Sequence, residues 1–175
     1  MIDDDYQTKI IIMIHMLVQQ MFGISLELLF KKEYTINSEI EKVWRFLTNI
    51  EMITDCIPYL EDLHIESSSK FTGKVKPLFS FMRGNFKINS EIEKIKEKEH
   101  LKVTVKGSSI GSSFEIIMQV DVLSVEGTKL QLDIEVKTFG LLKPIPKSLI
   151  FKGVEDIEKL MINNIKDVLE GESLT

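Results

Sequence analysis

From Ile24 the chain alternates, with Ile24, Leu26, Leu28 and Phe30 on one side and Ser25, Glu27, Lys31 and Glu33 largely on the other. A period of two sends successive side chains to opposite faces of a strand, so this run predicts a strand with one buried face. Asn37 and Ser38 follow as candidate caps for a helix starting near Glu39, in which Ile40, Val43, Trp44 and Leu47 recur at helical spacing. Thr48-Asn49 breaks that helix. A second short helical turn, from Glu51 to Cys56, ends where Pro58 disfavours helical geometry at Ile57.

Almost everything that follows alternates. Leu60 to Glu66 reads as a strand closed by the turn cluster Ser67-Ser68-Ser69, and Phe71 to Val75 returns against Lys70, Thr72, Lys74 and Lys76. Phe86, Ile88 and Ile92 alternate with Lys87, Asn89, Glu91 and Glu93, and Leu101, Val103 and Val105 with Lys102, Thr104 and Lys106. Phe114, Ile116, Met118, Val120 and Val122 make a further run. Glu126-Gly127 then turns the chain into Leu130, Leu132, Ile134 and Val136, opposed by Gln131, Asp133, Glu135 and Lys137. One apolar and one wet face is the signature of an antiparallel sheet covered on a single side.

Pro144 to Pro146 lead into a helix from about Lys147 to Leu169. Its apolar stripe reads Ile150, Val154, Ile157, Met161, Ile165 and Val168, with Glu155, Glu158, Lys159 and Lys166 elsewhere. About seven strands at roughly 4.8 Å spacing make a sheet some 30 Å wide, whereas a helix is only about 10 Å across. One helix cannot cover such a sheet, so the sheet must curl around it. The space between is then either filled by large side chains or open to another molecule.

The chain has 175 residues, a net charge of −5 and a pI near 5.3. That size suits one domain, and the acidic balance argues against a nucleic-acid surface. Residues 1–23 read as an N-terminal helical extension, 24–170 as the domain and 171–175 as a tail. Ile10 to Val18 is apolar but follows Asp3, Asp4 and Asp5, so a secretory signal is not expected. A lone cysteine points to a reducing, cytoplasmic compartment. Peripheral contact at the inner face of the membrane is the alternative for the extension.

Candidate chemistry is sparse. A reactive thiol needs basic neighbours, and Cys56 has Asp55 and apolar residues instead, so it reads as buried filler. Gly107 to Gly111 precedes a strand, not the helix N-terminus that a phosphate loop requires. His15, His64 and His100 show no metal spacing, and no cofactor is implied. The inward rows hold Phe, Leu, Ile, Val and Met, with Tyr34, Ser90 and Thr138 as polar exceptions and the carboxylates expected to point outward. An apolar interior of this kind suits a binding protein better than acid–base catalysis.

Several stretches together carry a family resemblance: Val43 to Asn49 (VWRFLTN) with Cys56-Ile57-Pro58, Phe71 to Lys76 (FTGKVK), Arg83 to Phe86 (RGNF), Gly107-Ser108-Ser109, Gly127 to Leu130 (GTKL) and Phe139-Gly140. In this order, from about Ile24 to Leu169, the chain resembles the carbon monoxide dehydrogenase G-subunit (CoxG) family of the START-like superfamily. The resemblance implies an α+β helix-grip fold, in which a curved antiparallel sheet of about seven strands wraps a long C-terminal helix. It also implies an accessory to molybdenum hydroxylases of the carbon monoxide dehydrogenase type, helping dock the enzyme at the membrane or passing it a quinone. The family usually has Gly after Ile-Pro, where this chain has Tyr59.

The expected ligand is an apolar small molecule, quinone or lipid-like. Phe71, Val75, Phe86, Phe114, Ile116, Met118, Leu132, Ile134 and Val136 are the candidate sheet-side lining, with Ile150, Val154, Ile157 and Met161 opposite. Leu78, Phe79, Phe81 and Met82, around the Pro77 turn, are the candidate rim. An enzyme of the cyclase or dehydratase kind, with Tyr34 or Tyr59 as acid, is the alternative, and two facing ionisable groups in the interior would favour it. A co-chaperone-like interaction module is a third reading.

Overall fold

The computed structural model describes residues 26–77, 84–142 and 144–171. The extension 1–23, the rim candidates Leu78, Phe79, Phe81 and Met82, and tail residues 172–175 lie outside the described residues.

Strand β1 (Leu26–Ile36) leads into helices α1 (Ile40–Leu47) and α2 (Ile50–Asp55). Six strands follow: β2 (Leu60–Ser67), β3 (Lys70–Val75), β4 (Phe86–Lys96), β5 (His100–Ser109), β6 (Ser112–Val125) and β7 (Gly127–Gly140). The chain closes with the long helix α3 (Lys147–Gly171). The seven strands form one antiparallel sheet in the order β1-β7-β6-β5-β4-β3-β2. Only β1 leaves its sequence neighbour, because two helices intervene before β2. Every other strand pairs with the next in sequence, the commonest arrangement for antiparallel neighbours.

Alternation sets the faces as the sequence predicts. In β1, Leu28, Phe30 and Ile36 are buried while Glu27, Leu29, Lys31 and Glu33 are exposed. In β4, Phe86, Ile88, Ser90 and Ile92 are buried between exposed or half-buried Lys87, Asn89, Glu91 and Glu93. The face carrying the buried rows is the inner face, and the helices pack there. At the β6–β7 turn, Gly127 has φ +89°, and a Cβ on it would meet the Ile36 carbonyl oxygen at 2.6 Å. Only glycine fits that turn without displacing β1.

One local expectation changes. Neither Asn37 nor Ser38 caps α1: the N-cap is Glu39, with no side-chain hydrogen bond. The two residues are used elsewhere, Asn37 N donating to Glu170 Oε1 at 2.9 Å and the Ser38 carbonyl accepting from Thr128 Oγ1 at 2.7 Å. The working cap is Asn49, whose Oδ1 accepts from Met52 N at 3.1 Å and so starts α2 at the point where α1 stops. Tyr59, where the resemblance implies glycine, adopts φ +59°. A left-handed backbone costs a residue with a Cβ roughly 1–2 kcal/mol, which glycine avoids.

Helix α3 is held to one side of the sheet. The Phe151 ring meets Phe30 edge-on, with centroids 4.7 Å apart, and Lys32 lies 3.7 Å from Glu155 and 3.5 Å from Glu158. Further along, Asn164 Nδ2 donates to the Cys56 carbonyl at 3.1 Å. Lys42 Nζ donates to the Leu169 carbonyl at 3.0 Å, a cation on the negative end of the helix. These contacts align α3 along β1 and anchor its C-terminal end over α1 and α2.

Candidate functional site

Register places the inner-face residues in rows across the sheet. One row joins Ile92, Val103, Met118, Ile134 and Phe30, and the next joins Phe71, Ser90, Val105, Ile116, Val136 and Leu28. The outer members are buried: Ile92, Phe71 and Ser90 toward one edge, and Phe30, Val136 and Leu28 toward the other. The middle members are not: Val103, Val105, Ile116, Met118 and Ile134 are all half-buried. An apolar floor over β5, β6 and β7 is thus enclosed by fully buried neighbours.

Helix α3 shows the same profile along its length. Ile150 near its start and Ile165 and Leu169 near its end are buried, whereas Phe151, Val154, Ile157, Met161 and Ile162 between them are half-buried. Loosely covered apolar surface on the helix therefore matches that on the inner face of the sheet. Packing is thus dense toward both ends of the helix and thinner in its middle.

Every candidate lining residue in the sheet sits at an inward position. Phe71, Phe86, Val136 and Ile150 are buried within the core, while Val75, Phe114, Ile116, Met118, Leu132, Ile134, Val154, Ile157 and Met161 keep partial access. The Phe114 ring packs across Gly107, occupying the place a Cβ there would need, and meets Phe86 at 5.4 Å between centroids. Val103, Val105 and Phe151 are additions to the candidate set. The first two follow from the register of β5 against β6, and the third stands three residues before Val154 on the helix.

The polar inventory of the inner face needs a correction. Ser90 and Thr138 are buried there and Tyr34 is half-buried, as expected. Glu158, however, does not point outward. Its side chain is 16% exposed and faces Lys32, itself 29% exposed, which stands in the inward row of β1 between Phe30 and Tyr34. The signal was legible: Glu158 is four residues after Val154 and three before Met161, inside the helical stripe. Glu158 Oε2 is buried, and neither it nor Thr138 Oγ1 has a hydrogen-bond partner among the described residues.

Other features are structural or external. Cys56 is 2% exposed, and burial first, then the Asp55 carboxylate, pushes its thiol up, away from nucleophilic use. The His100 ring lies 2.6 Å from Asp121 Oδ1 and 2.9 Å from Gln119 Oε1, and the aspartate contact holds its pKa above the ordinary value. A groove of about 680 Å³ lies on the outer face, bordered by Asp62, Thr72, Lys74, Lys87, Asn89, Lys106 and Glu115, and of the candidate lining only Phe114 touches it. Among the described residues no cluster of His, Cys, Asp or Glu could hold a metal, and no helix is long and apolar enough to cross a membrane.

Comparison with solved structures shows the fold. A conserved protein from Geobacillus kaustophilus superposes with a TM-score of 0.74 at 16% identity, covering 82% of this chain and 96% of that one. A START superfamily protein from Mycobacterium smegmatis gives 0.63 at 10% identity, with 83% and 99% covered. A protein from Thermus thermophilus gives 0.60 at 16% identity, with 85% and 99% covered. No curated protein matches the chain. The helix-grip architecture is therefore START-like, and the family model for the G-subunit of carbon monoxide dehydrogenase, CoxG, matches residues 33–170. The chain belongs to the CoxG family.

Proposed function

We propose that this protein is a non-enzymatic binding protein that holds an apolar, quinone- or lipid-like molecule between the inner face of the sheet and α3. The supporting observation is the pair of half-buried apolar surfaces, Val103, Val105, Ile116, Met118 and Ile134 on one side and Val154, Ile157 and Met161 on the other, enclosed by buried rows. Family membership suggests the partner: a carbon monoxide dehydrogenase-type molybdenum hydroxylase, which the protein serves by membrane docking or quinone delivery. Two apolar tips suit a lipid surface. Ile110 in the β5–β6 turn is 92% exposed and Leu141 after β7 is 67% exposed, and Leu141 N donates to the Gly111 carbonyl at 2.9 Å, holding them at one end.

Binding is tested by titrating the protein with the neutral fluorophore N-phenyl-1-naphthylamine. Saturable binding is expected, and Ile134→Trp, which fills the floor from β7, should abolish it while leaving circular dichroism unchanged. Absence of saturable binding to the wild-type protein would refute the reading.

One observation favours the enzyme alternative, the facing Lys32 and Glu158. Tyr34, two residues along the same row, is half-buried beside them, whereas Tyr59 is 57% exposed at the start of β2 and does not reach the interior. Recovery of a bound ligand chemically changed after incubation would establish that reading, and recovery unchanged would exclude it.

A further inference from the structure

We infer that the interior recognises the head of its ligand through Glu158, and that this head is a neutral hydrogen-bond donor, an alcohol or phenol, in preference to a carboxylate or an ether. The inference rests on the binding reading above and narrows its ligand, since a quinone's carbonyls only accept hydrogen bonds and within that class only the reduced quinol carries the donor. Two apolar rows are each interrupted once by a charge, Lys32 in β1 and Glu158 in α3, and the two interruptions meet across the interface. Lys32 stands directly opposite Leu132 of β7, a candidate lining residue and the next inward position along from Ile134. The pair therefore borders the half-buried floor.

The pair is not saturated. Lys32 is shared between two carboxylates, at 3.7 Å from Glu155 and 3.5 Å from Glu158. Glu158 Oε2 is closed to bulk solvent, and the Lys32 ammonium stands 3.5 Å from this same oxygen as an ion pair with no hydrogen bond among the described residues. A buried carboxylate oxygen paired this loosely gains a charge-assisted bond when a hydroxyl proton is placed on it. One ammonium against two carboxylates disfavours an incoming anion, and the adjacent ammonium disfavours an incoming cation. A neutral donor is the head that fits.

The test uses the full chain stripped of bound lipophile, with N-phenyl-1-naphthylamine as reporter and hexadecan-1-ol, its methyl ether and hexadecanoic acid as competitors. The alcohol should displace the reporter at concentrations about tenfold to a hundredfold lower than the ether or the acid, as a hydrogen bond to a charged group implies. Glu158→Leu should bring alcohol and ether level. Equal competition by alcohol and ether on the wild-type protein, stronger competition by the acid, or a preference that survives Glu158→Leu would each overturn the inference and leave the apolar site standing. Failure of the reporter and all three competitors to bind would instead remove the site on which it rests. The wild-type series is decisive by itself should the variant fail to fold.

Discussion

Two parts of the same inner face are made of the same residue types and end up differently covered. Where α1 and α2 cover the sheet, Ile36 of β1 is 0% exposed against Val43 and Phe46 of α1, also 0%, and Leu101, Val122 and Leu130 in the other strands are closed almost as tightly. Over the middle of the sheet, Val103, Met118 and Ile134 keep partial access although all three are apolar and point inward. The difference is what lies above them. At the closed end three helices converge, tied by Lys42 to the Leu169 carbonyl and Asn164 to the Cys56 carbonyl, whereas the middle has only α3, drawn aside toward β1 by Phe30 and Lys32. Hydrophobicity alone therefore does not define a core. Coverage does, and coverage is a property of how elements are tethered.

The contrast can be broken in order of expected size. Phe46→Ala removes a fully covered ring and should lower unfolding free energy by about 3–5 kcal/mol, whereas Met118→Ala on the thinly covered floor should fall below the usual roughly 2 kcal/mol for a core methionine. Denaturant titration of both measures the gap, and equal losses would mean the middle is packed like the closed end. Lys32→Leu leaves Glu158 facing apolar surface and should cost about 2–3 kcal/mol, while Lys32→Leu with Glu158→Leu should be near neutral or stabilising. A thermodynamic cycle over the two sites checks this, and a double variant as damaged as the single one would contradict it. Tyr59→Gly should stabilise by about 1 kcal/mol in the same titration, because glycine takes the left-handed backbone without strain.

The smallest effect is electrostatic and belongs to the outer face. The Asp121 carboxylate raises the folded-state pKa of His100 against a smaller desolvation effect, and Gln119 adds to the rise. A raised folded pKa stabilises fully below the unfolded value of about 6.5 and loses that contribution as pH rises through the folded value. Thermal melts from pH 5 to 9 should show the wild type losing this small advantage over Asp121→Asn as pH increases. A constant difference across that range would contradict the assignment.

Much of this was legible in the sequence. Period-two runs mark β1 and β3 to β7, and the Val154–Met161–Ile165 spacing marks α3, because a sheet covered on one face and a helix lying on it both write burial directly into alternation, whereas the edge strand β2 is exposed almost throughout and does not alternate. The backbone at Tyr59 agrees with the resemblance, which implies glycine there: it is left-handed, the conformation glycine takes without strain. The caps are less readable, since Asn37, Ser38 and Asn49 are all suitable cap residues and the choice depends on long-range partners, Glu170 and Thr128. Within the candidate site, residue types mark the inward rows, but the difference between buried Phe71 and half-buried Met118 depends on where α3 lies. Lys32 and Glu158 each sit at a legible inward position, in the β1 alternation and the α3 stripe, but that the two meet shows only once the elements are brought together.

The most direct measurement is native mass spectrometry of the protein isolated without detergent from its own host, with Ile134→Trp prepared in parallel. A non-covalent adduct of a lipophilic molecule on the wild-type protein, lost in the variant, is the predicted result. A bare mass for both proteins, together with no uptake of added lipophile by the wild type, would show that the thinly covered middle of the sheet is simply a loosely packed core.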